Sequence, residues 1–339
     1  MPRPRPTAPL VTDGPADAPC GDHPALRVLA SPPAATWRVV VCPHAGGAAS
    51  YYRRLVLARD RGVGGQAAGR RGSSAPFASA PEVVAVQYPG RETRLDEPPV
   101  QTMADLLADV AGPVRALLAD DVPTVLLGHS LGASVAVRVA AGLGPGEGPD
   151  LLVVSGRAAR ADRPRSGGRD GDGSGVVGPG RLTARDDSAL RTWITALGGT
   201  PPELLADAEF FALHARVLRA DLAVHDSLGT VAAREASEIA APLLLLAGSD
   251  DVASPPEAVA PWAERARAGV RRRVVEGGHF FVGDRAPEVV EALRVALTAV
   301  AAGTYADQVT RPTAEERWVW SREIVAADLR RLAGAGATS

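Results

Sequence analysis

The sequence predicts an α/β protein with a mostly parallel central sheet flanked by helices, and three observations predict it. Short apolar runs bounded by turn residues recur along the chain, as strands buried on both faces do. Segments with apolar residues at helical spacing separate them, so strand and helix alternate. Gly128-His129-Ser130-Leu131-Gly132 lies directly between one such run and an Ala/Val-rich segment, where a sharp strand-to-helix turn belongs.

The first strand is expected at 37–42 (WRVVVC), followed by a helix at 48–57. A strand at 83–88 (VVAVQY) precedes the clearest helix, 102–119. There Met103, Leu106, Leu107, Val110, Val114, Leu117 and Leu118 share one face, and Thr102 is placed to cap. Strands at 124–128 (TVLLG) and 150–154 (DLLVV) flank a helix at 131–141. Between the strands 150–154 and 242–247 the chain carries helices at 186–197 and 207–228 but no convincing strand, which predicts a helical lid inserted at about 182–230. Strands at 242–247 (PLLLLA) and 272–275 (RRVV), with helices at 255–268 and 286–302, complete the sheet and its cover.

Four stretches are poor core material: a Pro-rich leader over 1–25, Gly/Arg/Ser loops at 58–80 and 161–181, and an extension over 303–339. The remainder, 26–302 without the loops, has the size of one α/β domain. In the extension, Thr313 and Glu316 have the spacing of a capping box. Trp318, Val325, Leu329 and Leu332 then line one helical face, to pack on the domain or dock to a partner.

With 37 Lys+Arg (every one of them Arg) against 39 Asp+Glu, the net charge is −2. That balance offers no electrostatic case for nucleic acid or an anionic membrane. No apolar stretch approaches the roughly 20 residues of a membrane span, and the N-terminal arginines lack the apolar region of a signal peptide. Two cysteines, Cys20 and Cys42, build neither a disulfide framework nor a four-thiolate metal site. A soluble, cytoplasmic protein is expected.

The chemistry centres on Ser130. Flanking glycines allow the strained turn that exposes its hydroxyl above the positive end of the next helix. A serine hydroxyl needs a base. His279, in Glu276-Gly277-Gly278-His279-Phe280-Phe281 after the run 272–275, is where an elbow's partner belongs. His129, adjacent to the serine on a tight turn, is expected to point away and pack. His23, His214 and His225 are read as solvated or structural. A carboxylate must orient the base. Asp250 and Asp251 both follow the strand 242–247, and residue chemistry alone leaves the choice open. Pro43-His44-Ala45-Gly46-Gly47 is a Gly-rich turn after the first expected strand, so the N–H groups of Ala45 and of Leu131 are the candidate oxyanion donors.

Together these segments resemble the type II thioesterases of polyketide and nonribosomal peptide synthases, which have the α/β-hydrolase fold. The likeness is carried by Pro43–Gly47 with Ser50-Tyr51-Tyr52, Val86-Gln87-Tyr88-Pro89-Gly90-Arg91-Glu92, the elbow, Ser155-Gly156-Arg157, Leu197-Gly198-Gly199-Thr200-Pro201, Leu218-Arg219-Ala220-Asp221, Gly248–Asp251 and Gly277–Phe281. They run in family order from about 37 to 300. The resemblance places the acid three residues after Gly248, at Asp251. It implies hydrolysis of acyl groups from the phosphopantetheine arm of an acyl or peptidyl carrier protein, without metal or organic cofactor. The 58–80 and 161–181 loops and the extension depart from the family pattern. The alternatives are a general carboxylesterase or acyltransferase of the same fold, and a non-catalytic interaction protein.

Overall fold

The computed structural model describes residues 23–57, 77–159, 186–228 and 238–305. Most of the leader, most of the 58–80 loop, all of the 161–181 loop and most of the extension, with its capping box, lie outside the described residues.

Seven strands form one sheet: β1 (Leu26–Ala30), β2 (Arg38–Cys42), β3 (Glu82–Val86), β4 (Thr124–His129), β5 (Leu151–Ser155), β6 (Leu243–Gly248) and β7 (Val270–Val275). Their order is β1-β3-β2-β4-β5-β6-β7. β1 runs antiparallel to β3 and every other pairing is parallel. The helices are α1 (Arg53–Leu57), α2 (Met103–Leu118), α3 (Leu131–Ala141), α4 (Asp187–Leu197), α5 (Pro202–Ala206), α6 (Ala208–Ser227), α7 (Pro256–Val259), α8 (Phe281–Asp284) and α9 (Ala286–Ala301). Thr102 caps α2 by accepting from the Asp105 N–H at 3.1 Å, and Asp186 and Asp207 cap α4 and α6 in the same way. Caps of this kind contribute about 1 kcal/mol each.

The central strands are buried on both faces because alternate residues feed two separate cores. Val40, Leu126, Leu152 and Leu245 pack against α2 and α3. Val39, Val125, Val153 and Leu244 join the core that holds α9. This is the α/β layering expected from the alternation, in the α/β-hydrolase fold that the resemblance implies. A third, smaller cluster joins Leu190 and Ile194 of α4 to Phe211, Leu218 and Leu222 of α6. Among the described residues between β5 and β6, α4, α5 and α6 are the helices present, and they include the two expected at 186–197 and 207–228.

Several expectations are corrected. β1 had no counterpart in the sequence reading: it is an edge strand with Leu26 buried and Val28 exposed, too short to show alternation. The run 272–275, read as buried on both faces, begins at Val270 and lies at the other edge. Only Val270 and Val275 are buried, and Arg272, Arg273 and Val274 face outward. The helices expected at 48–57 and 255–268 each divide into a 3₁₀ and an α segment, the second around Pro255, Pro256 and Pro261. Boundaries also shift. Ala25 is fully buried, and the Tyr305 hydroxyl donates to Leu243 O at 2.7 Å, so both belong to the domain rather than to the leader or extension. From the far end of the first loop, Phe77 packs edge-on to Trp37. No helix among the described residues is long and apolar enough to cross a membrane.

Candidate active site

Parallel strands bring the loops that follow them to one edge of the sheet, where α/β proteins build their sites. The loops after β2, β4, β6 and β7 meet there. Ser130 ends β4 and opens α3 with φ 54° and ψ −116°, a conformation that L-residues rarely adopt and that strands a side chain on the outside of the turn. The turn is held shut by the Ser130 N–H donating to Ser155 O at 2.8 Å. Side chains at Gly128 or Gly132 would prevent it. A Cβ at Gly128 would strike the backbone of Gly132 and Ala133, and one at Gly132 would strike the Cys42 carbonyl. The same contact brings the start of α3 against the end of β2, so the 43–47 turn lies beside the serine.

His279 comes from the loop between β7 and α8. Its Nε2 is 3.1 Å from Ser130 Oγ, and its Nδ1 is 2.8 Å from Asp251 Oδ2. Asp251 is 1% exposed, and its Oδ1 accepts from the N–H groups of Ala253 and Ser254 at 3.0 Å each. Burial pushes this carboxyl up, but the hydrogen bond and charge of His279 and the two N–H donors outweigh it and hold it below its ordinary value. It is therefore ionised at neutral pH. Asp250 is exposed, with its carboxylate 3.0 Å from Ser249 Oγ and its N–H on Gly277 O at 2.9 Å. Of the two aspartates left open by residue chemistry, Asp251 meets the histidine, and Asp250 stitches the β6 loop to the β7 loop.

Ala45 and Leu131 line the same cavity as Ser130. Leu131 is the first residue of α3, so its N–H has no partner within the helix.

The other histidines divide. His129 is fully buried with Nδ1 3.1 Å from Ser155 Oγ, as a packing residue should be. Burial holds its pKa well below the ordinary imidazole value, so the ring is neutral. His44 was not singled out by sequence reading, yet its ring stands edge-on to Tyr51 and Phe280 at 4.9 and 5.1 Å and its Nδ1 is 2.9 Å from the Tyr52 hydroxyl. Burial and the neighbouring His279 push its pKa down to about 3, which leaves it an uncharged wall. His214 and His225, read as solvated or structural, line the cavity, with His214 stacked on Phe210. Their helical spacing resembles that of any exposed face, so nothing in the sequence pointed inward. Cys42 is buried, and its thiol is pushed up to about 12 by that burial, which leaves it no role as a nucleophile.

The cavity over Ser130 holds about 800 Å³. Its floor is the sheet edge that carries Ser130 and His279, and its far wall is Trp193, Ile194, Leu197, Leu204, Leu218 and Leu222 from α4–α6. A serine, a histidine and an ionised aspartate in hydrogen-bonded series, beneath an apolar wall, can perform acyl transfer through an acyl-serine.

A Thioesterase domain family model matches residues 37–297. A probable cadicidin biosynthesis thioesterase of Streptomyces griseus is 32% identical over 72% of this chain, an alignment that spans 58% of that protein's length. Thioesterase PikA5 of Streptomyces venezuelae is 29% identical over 86% of this chain and 94% of its own. Among solved structures, the type II thioesterase YbtT of the yersiniabactin pathway superposes with a TM-score of 0.61 over 81% of this chain and 99% of that one, a likeness of fold at 24% identity. This chain belongs to the thioesterase domain family.

Proposed function

We propose that the protein is a serine thioesterase that clears acyl groups from the phosphopantetheine arm of an acyl or peptidyl carrier protein, as an editing enzyme of polyketide or nonribosomal peptide assembly. The observation that carries the reading is the series Ser130 Oγ, His279 Nε2, His279 Nδ1 and Asp251 Oδ2, with contacts of 3.1 and 2.8 Å, at the floor of an apolar-walled cavity. The name of one relative, a probable cadicidin biosynthesis thioesterase, supports placing the substrate in a biosynthetic pathway.

In this mechanism Ser130 Oγ attacks the thioester carbonyl carbon while His279 Nε2 takes the hydroxyl proton. The N–H groups of Ala45 and Leu131 hold the oxyanion. The tetrahedral intermediate collapses, the C–S bond breaks, and the imidazolium returns the proton to the departing sulfur. Water then attacks the acyl-serine carbonyl with His279 as base. The second collapse frees the carboxylic acid and restores the Ser130 hydroxyl. Asp251 fixes the Nδ1–H tautomer and stabilises the imidazolium in both halves. A thiolate leaves readily, so acylation needs less acid assistance than amide cleavage does.

The test presents one acyl group on a carrier protein, on coenzyme A and as a simple ester, with products followed by intact mass. The expected result is the highest kcat/KM for the carrier protein. Equal values for carrier and coenzyme A would identify a general thioesterase, faster ester cleavage a carboxylesterase, and capture by an added alcohol or amine in place of water an acyltransferase. No acyl loss from any substrate would favour a non-catalytic role.

A further inference from the structure

Arg91 and Asp221 lie 130 residues apart and form a bidentate ion pair with contacts of 2.6 and 2.8 Å. Their side chains are only 6% and 2% exposed. Two buried charges seldom add stability, because desolvation consumes most of their attraction, and an apolar pair of similar volume often serves as well. What this pair holds is therefore more informative than its strength. Asp221 Oδ2 also accepts from the Gly46 N–H at 2.7 Å, and Arg91 Nη1 donates to the Gly47 carbonyl at 3.1 Å. The remaining arginine donors reach Pro89 O at 3.3 Å, which anchors the guanidinium to its own loop. The 44–47 turn is thus gripped through two consecutive residues by opposite charges.

Those two residues follow Ala45. With the Gly46 N–H tied to Asp221, the Ala45–Gly46 peptide is fixed, and the Ala45 N–H one residue upstream has little freedom to turn away from the cavity. Asp221 sits on α6 between Leu218 and Leu222, both of which line the cavity. One carboxylate therefore touches the turn below and belongs to the wall above.

We propose that Arg91 and Asp221 are positioning residues: the pair aims the Ala45 N–H at the developing oxyanion and couples its placement to the seating of α6. The proposal rests on Ala45 being an oxyanion donor in the mechanism above. Preorganised donors are effective because they need no reorganisation during reaction, so a donor left free to swing loses kcat before it loses binding.

The test uses the full chain and the double variant Arg91→Met/Asp221→Leu, which removes both charges together and leaves neither buried alone. Arg38→Met is the control. It breaks the two ion pairs that buried Arg38 makes with half-buried Glu82 and exposed Asp120, at the start of β2 and the opposite end of the sheet. Three readouts are taken: kcat and KM on an acyl-thioester, the second-order rate of Ser130 labelling by a fluorophosphonate, and Tm. The double variant is expected to fold cooperatively and to lose about 10- to 100-fold in kcat, less than the full loss of a donor. KM should stay within about threefold and labelling should slow by the same factor as kcat. Arg38→Met should lower Tm while leaving kcat unchanged. A folded double variant with kcat and labelling within about threefold of wild type overturns the proposal. If the double variant does not fold, Asp221→Asn and Asp221→Ala decide. Both lose the ion pair, but only Asn keeps an acceptor for the Gly46 N–H, so Asn should retain at least about fivefold more kcat and labelling. Equal losses overturn the proposal. Labelling separates this inference from the functional reading. A wild type that labels but cleaves no thioester contradicts the substrate alone, and the variants still report on the turn. A wild type that does neither overturns both.

Discussion

The nucleophile elbow and the helical wall opposite it are held in different ways. At the elbow the restraint is backbone: a left-handed serine, a Ser130-to-Ser155 hydrogen bond and two glycine positions without room for a Cβ. In α4–α6 it is side-chain contact, through the small cluster of Leu190, Ile194, Phe211, Leu218 and Leu222 and the buried Arg91–Asp221 pair. A part fixed by its backbone keeps reacting atoms in place whatever the substrate. A wall of packed side chains is free to change shape with a few substitutions. Changes at the elbow edge, or in the Arg91–Asp221 pair that holds its neighbouring turn, should therefore act on kcat, and changes in the apolar wall on which acyl group is accepted.

The sharpest way to break that contrast is at Ser130. Ser130→Ala should lower kcat by roughly 10⁴- to 10⁶-fold, the scale of losing a triad nucleophile, with the fold intact by circular dichroism. Next comes the aspartate pair. Asp251→Asn removes the charge that stabilises the imidazolium and should cost on the order of 10²- to 10⁴-fold in kcat. Asp250→Asn, which changes the carboxylate beside Ser249 Oγ and keeps the backbone bond to Gly277, should cost no more than about 10-fold. A crippled Asp250→Asn beside an active Asp251→Asn would reverse their roles. In the wall, Trp193→Ala opens space. The kcat/KM ratio of a long to a short acyl chain should rise about 10-fold, the worth of one or two methylenes in an apolar pocket. An equal fall for both chains would mean that Trp193 positions the thioester rather than its tail.

The smallest expected effect is on stability. The Asp251 carboxyl is held below its ordinary value, so its contribution is full above the unfolded-state pKa of about 3.9 and is lost as pH falls through the lower folded-state value. Asp251→Asn should flatten the acid limb of Tm against pH below about pH 4. An unchanged acid limb would place the proton-linked loss elsewhere.

What the sequence made legible follows the same division. The elbow could be read because strand, turn glycines and helix are contiguous. Ser130, His279 and the pair Asp250/Asp251 all stand at the ends of apolar runs that identify themselves. The choice of Asp251 came from the family offset, since adjacent aspartates in a loop carry no periodicity that says which way each points. The central strands were legible because both their faces are apolar. β1 was not, and β7 was read without its start at Val270 and as buried on both faces, because an edge strand lacks that pattern. The proline-broken segment around 255–268 kept helical spacing while its prolines divided it. The inward turn of His214 and His225, and the meeting of Arg91 with Asp221, depend on contacts between distant segments. Arg91 and Asp221 each stood inside a recognised motif, but no local spacing joins residues 130 positions apart.

The central claim is that acyl groups pass through Ser130, and a rapid acid quench of enzyme with excess acyl-thioester tests it most directly. Peptide mass mapping of the quenched enzyme should find a gain equal to the carboxylic acid less water on the peptide that contains Ser130, and none in Ser130→Ala, whose turnover should be lost with it. Hydrolysis that continues in Ser130→Ala at near wild-type rate, or an acyl group mapped to another residue, would contradict the account.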